Sequence, residues 1–217
     1  MTQLPAALSN RQQTALKTQG RLRLLKLGRL HASYADPVRV RDCFPNVPPT
    51  VLKGLMADPR FAERLSLKIG QRYRLQPVSV YEDNPLAALL AKGREHVRRI
   101  VRLSGAIWYA NNFRQVVMAK DRQKLDEILG EGVMTFALKH LSLAPSGMPQ
   151  PLGDNVLLTL DRAGAACLAV WTRDWLPVYL ARIHVMMPPE LWPAQVTAEH
   201  VSRAPRIVSA AMAEVGA

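Results

Sequence analysis

NPLAALLAKGREHVRRIVRLSGAIWYANNFRQVV, residues 84–117, decides the fold. Asn84 is a helix-capping residue, and Pro85 suits the first helical turn, where its missing N–H leaves nothing unpaired. Leu86, Leu89, Leu90, Val97, Ile100, Val101 and Leu103 then fall at helical spacing. Arg94, Arg98, Arg99 and Arg102 lie largely on the other side. The pattern continues through Ile107, Trp108 and Phe113 to Val117, and Ser104-Gly105 marks a kink or a close helix contact. A stripe of this length predicts a helix laid against other helices.

The flanking sequence repeats the signal. Upstream, Asp58-Pro59 is a second cap-plus-proline start, and FAERLSLKIGQRYRL places Phe61, Leu65 and Ile69 on one face. Pro49 opens the short helix PTVLKGLM. Between Asp36 and Pro49, four prolines predict an extended connector. Residues 76–83 read as a loop with strand character in VSVY. Asn10 caps a helix in which Leu16, Leu24, Leu27 and Leu30 share a stripe, with Arg21, Arg23, Lys26 and Arg29 around it.

Downstream, Asp121 is placed to cap RQKLDEIL, which Gly130 ends, and GVMTFALKHLSL follows as another amphipathic helix. Residues 144–154 are dense in Pro and Gly and read as a linker. Asp154 is placed to cap NVLLTLDRAGAACLAVW, Asp174 precedes WLPVYLARIHVMM, and Pro188-Pro189 ends that run. A last amphipathic run covers Thr197 to Val215, with Pro205 expected to break or kink it. The expectation is an all-α fold, one domain over 1–217 with eight to ten helices and at most one short strand. It carries a basic N-terminal segment over 1–35. The linker at 144–154 would set off a C-terminal helical subdomain over 155–217.

Composition agrees with this. Of 217 residues, 48% are apolar and 6% aromatic, a globular balance carried by Leu, Ala and Val, which favours helices. No apolar run approaches bilayer-spanning length, and Met1 to Asn10 shows no signal-peptide pattern. Cys43 and Cys167 stand far apart with no metal spacing, so a reduced, cytosolic setting is expected.

Charge is placed unevenly. The formal net charge is +12. Residues 1–81 hold 14 Lys and Arg against 4 Asp and Glu, whereas 82–217 hold 15 against 13. An N-terminal excess of this kind points to an acidic partner: a protein, a membrane surface or nucleic acid. Residues 11–30 contain no aromatic to stack on bases, so sequence-specific nucleic-acid reading is not expected. Peripheral membrane association remains compatible with the charge.

The residues that carry chemistry are sparse. Gly130-Glu131-Gly132 lacks the third glycine and the preceding strand of a phosphate loop. His31, His96, His140, His184 and His200 form no metal motif. Asp126, Glu127 and Asp161 lie in amphipathic helices, where exposure is the default. Ser66 and Ser104 sit in no nucleophile elbow. Trp108 and Trp171 fall on apolar faces, while Trp192, between prolines in PPELWP, is the candidate exposed anchor of an interface. No catalytic residue, cofactor site or metal site is expected. The candidate partner-docking residues are Arg21, Arg23, Lys26, Arg29 and Trp192.

The block RRIVRLSGAIWYANNFRQVVMAKDRQKLDEILGEGVMTFALKHLSLAP, residues 98–145, resembles the YscK/SctK family of type III secretion sorting-platform accessory proteins. The likeness lies in an Arg-rich helix, a Leu-x-Gly turn into a second helix, and two short helices closing on a Leu-rich segment. GAACLAVW at 164–171, Trp175 and LARIHVMMP at 180–188 match the family's second part in outline. The resemblance implies a helical, non-catalytic cytoplasmic adaptor. Its implied partners are the pod component of the sorting platform and the cytoplasmic domain of the inner-membrane ring protein. The competing expectation, from charge alone, is a non-specific nucleic-acid-binding helical protein.

Overall fold

The computed structural model describes residue 22 and residues 25–77, 89–116, 118–146, 152, 155–193 and 196–216. Among them the regular structure is helical and no strand occurs. The α-helices are α1 (Pro37–Cys43), α2 (Pro49–Ala57), α3 (Ala62–Tyr73), α4 (Arg94–Trp108), α5 (Ala110–Gln115), α6 (Ala119–Leu129), α7 (Val133–Lys139), α8 (Val156–Trp171), α9 (Pro177–Met186) and α10 (Ala198–Val215). Residues 25–29 are also helical and lead into a 3-10 turn at His31–Ser33. The all-α expectation holds. The VSVY segment, residues 78–81, lies outside the described residues.

The centre is a seam between α4 and α8. Val97, Ile100, Val101, Leu103 and Ile107 of α4 are buried, as are Leu160, Ala165, Cys167 and Leu168 of α8. The two backbones nearly touch. A Cβ on Gly105 would stand 1.9 Å from the Leu160 carbonyl oxygen, and one on Gly164 would stand 1.8 Å from that of Val101. Only glycine permits this approach, so Ser104-Gly105 marks a close helix contact. α10 lies against both helices through Ala204, Ile207, Val208 and Ala211. α5 and α7 cover the other flank with Phe113 and Phe136.

Helices on both sides of residues 144–154 thus share one hydrophobic core, and the C-terminal helices have no separate one. Arg203 of α10 ties the near end of that connection down by donating to the carbonyls of Leu143 and Ala144.

Several boundaries differ from expectation for local reasons. The proline-rich stretch 36–49 is not an extended connector. Asp36 caps α1 by accepting from the Val38 N–H at 2.9 Å, and Pro37 takes the first helical position. The stripe in residues 84–117 is not one helix. Gly93, at φ +93°, separates α4 from the helical residues 89–91, and Tyr109 separates α4 from α5. Met118, not Asp121, stands at the start of α6, with Asp121 in its first turn. Asn155, not Asp154, caps α8 by accepting from the Leu158 N–H. Pro205 sits on the exposed side of an unbroken α10.

Candidate docking surface

The N-terminal helices form a layer fastened to the core by hydrogen bonds from arginines to backbone carbonyls. Arg94 donates to the Ala35 carbonyl and Arg39 to that of Met187, while the Asp36 N–H donates to the Val185 carbonyl. Arg98 reaches the buried Asp36 carboxylate at 3.2 Å. The Arg-rich face of α4 is therefore mostly engaged. Arg102 completes it with a two-pronged pair to Asp161 of α8, at 2.5 and 2.8 Å. This corrects the expectation that Asp161 is solvent-exposed: it is half-buried in the seam between the two helices.

Arg182 of α9 is the largest fully buried side chain among the described residues. Three carbonyls receive its N–H groups: Val178 at 2.8 Å, Gln76 at 2.7 Å and Leu27 at 3.4 Å. The same Leu27 carbonyl accepts from the Tyr34 hydroxyl, which lies 2.7 Å from His31 Nδ1. One guanidinium thus joins residues 25–29, the chain after α3, and α9. Burial holds the Arg182 guanidinium below its ordinary value and pushes the Tyr34 hydroxyl above its own. Burial first, then the Arg182 charge, lowers the His31 imidazole to about 4. His31 is neutral at neutral pH and serves the fold.

α3 presents the free face. Asp58 starts the segment by accepting from the Arg60 N–H, and a 3-10 turn at Pro59–Phe61 feeds the helix. Leu65 and Ile69 turn inward. Ser66 donates to the Ala62 carbonyl and accepts from the Ala32 N–H, which pins the His31–Ser33 turn across the helix. The opposite side carries Arg64, Lys68 and Arg72, all exposed and without an ion pair among the described residues. Leu67 stands among them at 65% exposure.

The stripe continues towards α1, where Tyr73 donates to the Arg39 carbonyl. The Arg39 and Arg72 guanidinium carbons lie 6.0 and 5.9 Å from the Tyr73 ring centre. Burial raises the Cys43 thiol beneath this cluster. The nearby Arg72 and Lys68 charges pull it down and Asp42 pushes it up.

The balance of charge in this layer follows. Residues 25–77 hold ten Lys and Arg and four acids. Two of those acids are engaged: Asp36 with Arg98 and Asp58 with Arg60. Asp42 and Glu63 remain exposed and make no ion pair among the described residues.

The residues named from sequence divide accordingly. Lys26 and Arg29 are exposed on the helical residues 25–29, next to this layer. Arg21 and Arg23 lie outside the described residues. Trp192 is not an exposed anchor. It is half-buried against the core, with its ring centre 3.8 Å from that of His184 in an edge-on arrangement. The flanking prolines fold it back through the Pro189–Leu191 turn.

Trp108 packs on the core with its outer face stacked on His200 at 3.9 Å. Trp171 likewise packs on the core, beside Trp175. His140 lies against Phe136. His96 is half-buried, its imidazole lowered by burial and then by Lys92. No cluster of His, Cys, Asp and Glu able to hold a metal occurs among the described residues. Cys43 and Cys167 are separate buried thiols, and burial pushes Cys167 up to about 12. No helix among the described residues is long and apolar enough to cross a membrane.

The docking candidates read from sequence were Arg21, Arg23, Lys26, Arg29 and Trp192, and the basic spacing of α3 was not among them. The signal in α3 was present. Arg64, Lys68 and Arg72 are each four apart, and Glu63 lies four residues from Leu67 rather than from a base. No family model, curated protein or solved structure matches this chain.

Proposed function

We propose that this chain is a non-catalytic adaptor of a type III secretion apparatus. It acts in the cytoplasm beneath the inner membrane and joins the pods of the sorting platform to the cytoplasmic domain of the inner-membrane ring protein. Two things support the reading. The first is the resemblance of residues 98–145 and 164–188 to the YscK/SctK family. Gly164 falls where α4 and α8 touch, whereas Leu103-Ser104-Gly105 lies inside α4 and not at the turn into a second helix that the resemblance implies. The second, which carries the docking part of the argument, is the set of unpaired cations on the N-terminal layer. An exposed charge without a partner adds little to folding and is free to meet an acidic surface.

The test is affinity capture from the native cell with the full chain as bait, followed by chemical cross-linking. Recovery of both the ring and the pod component is the expected result. Recovery of neither overturns the reading. The charge of +12 also favours a second reading, non-specific binding to nucleic acid. A mobility shift that weakens steeply with salt would support it, and no shift at low salt removes it.

A further inference from the structure

We propose that the exposed stripe of α3 is a docking track for an acidic helical segment of a partner protein. This names the partner chemistry for the adaptor reading and rests on it. Arg64, Lys68 and Arg72 recur once per turn, a row about 12 Å long at 1.5 Å per residue. Like charges one turn apart repel and weaken the helix that carries them, so the row works against folding. The helix's one acid, Glu63, sits one turn from Leu67 and leaves the row uncompensated. Leu67, 65% exposed, gives the row a single apolar knob. A helix with carboxylates one turn apart matches that spacing and can seat the knob between them.

Other anionic surfaces fit less well. An interfacial membrane helix lays its apolar face in the lipid, whereas α3 buries Leu65 and Ile69 in the protein. A single-stranded nucleic acid is gripped by aromatic platforms, and the nearby Tyr73 is half-buried with its hydroxyl committed to the Arg39 carbonyl.

The experiment measures fluorescence anisotropy of a labelled synthetic alanine-rich helix carrying Glu at every fourth position, titrated with the full chain. The variant R64E/K68E/R72E is compared with R99E/R162E/R206E. The latter changes net charge equally at exposed positions on α4, α8 and α10. Circular dichroism establishes that both variants keep the wild-type helix content. The stripe variant is expected to lose about tenfold or more in affinity and the matched variant less than about threefold, as three modest pairings imply.

Equal losses would mean that net charge alone binds the peptide, and would overturn the track. So would no binding by wild type, or tighter stripe-dependent binding to phosphatidylglycerol vesicles or to single-stranded DNA. The two readings fail separately. If the stripe binds the peptide but native capture recovers neither secretion component, the secretion reading falls and the track stands. If capture succeeds and survives the reversal, the track falls and the secretion reading stands.

Discussion

α4 and α3 look alike in sequence, and the fold uses them differently. Both are amphipathic helices with basic residues along the polar side. In α4 three of the four bases are engaged, Arg94 on the Ala35 carbonyl, Arg98 on Asp36 and Arg102 on Asp161, while Arg99 is exposed. In α3, Arg64, Lys68 and Arg72 make no ion pair among the described residues, and only Arg72 lies over a ring, that of Tyr73. The cause is position. α4 is central and is wrapped by α8, α10 and the N-terminal layer, which bring carbonyls and carboxylates to it. Among the described residues, α3 lies at the outside with its neighbours on its inner face. A basic helix is therefore a staple where it is surrounded, and keeps its charges exposed where it is not.

The largest break in this comparison comes at the glycine seam. Gly164→Ala places a methyl group inside the Val101 carbonyl, so α4 and α8 must part along their length. We expect a loss of about 3 kcal/mol or more, read as a drop in the urea midpoint. A loss below about 1 kcal/mol would mean the helices do not touch there.

Arg182→Met tests the link between core and layer. It removes the guanidinium from the Leu27, Val178 and Gln76 carbonyls, of which Leu27's keeps the Tyr34 hydroxyl. At about 1 kcal/mol for each hydrogen bond lost the loss is about 3 kcal/mol. Amide exchange should show the N-terminal layer loosening before the α4–α8 seam.

Protonation strains the same hub. The folded state holds His31 near 4 against an ordinary 6.5, so the unfolded chain binds the proton more readily. Stability is full above 6.5 and falls as pH drops towards about 4, by about 3 kcal/mol from this group. His184, His200 and His96 are lowered too, chiefly by burial, and act in the same direction. His31→Gln should flatten part of the profile measured by denaturation at stepped pH. An unchanged slope would remove His31 from the account.

A smaller effect is expected at Asp161→Asn. It weakens the half-buried pair with Arg102 while leaving the seam intact, at about 1 kcal/mol. A change in native capture without a change in the urea midpoint would place this pair on the docking surface instead.

Most of the fold was legible in the sequence, because caps and periodicity are local properties. Pro49, Asp58-Pro59, Gly130 and Pro188-Pro189 mark helix limits where the chain places them. Other features needed the third dimension. Four prolines concealed α1, since Pro37 reads as a breaker until Asp36 is seen to cap the helix. Gly93 falls within the apolar stripe, and its positive φ divides the helix. Burial of Arg182 was invisible, because its partners are carbonyls and carbonyls have no sequence signature. The proposed docking face was half legible. The excess of positive charge could be counted, but which bases remain unpaired depends on which helix ends up outside.

The most direct test is the equilibrium urea unfolding of R64E/K68E/R72E beside wild type. The account predicts a midpoint equal to or above the wild-type value with an unchanged slope, because the row of like charges is superfluous to folding. A fall comparable to that of Gly164→Ala would contradict it, for the bases of α3 would then hold the protein together as those of α4 do.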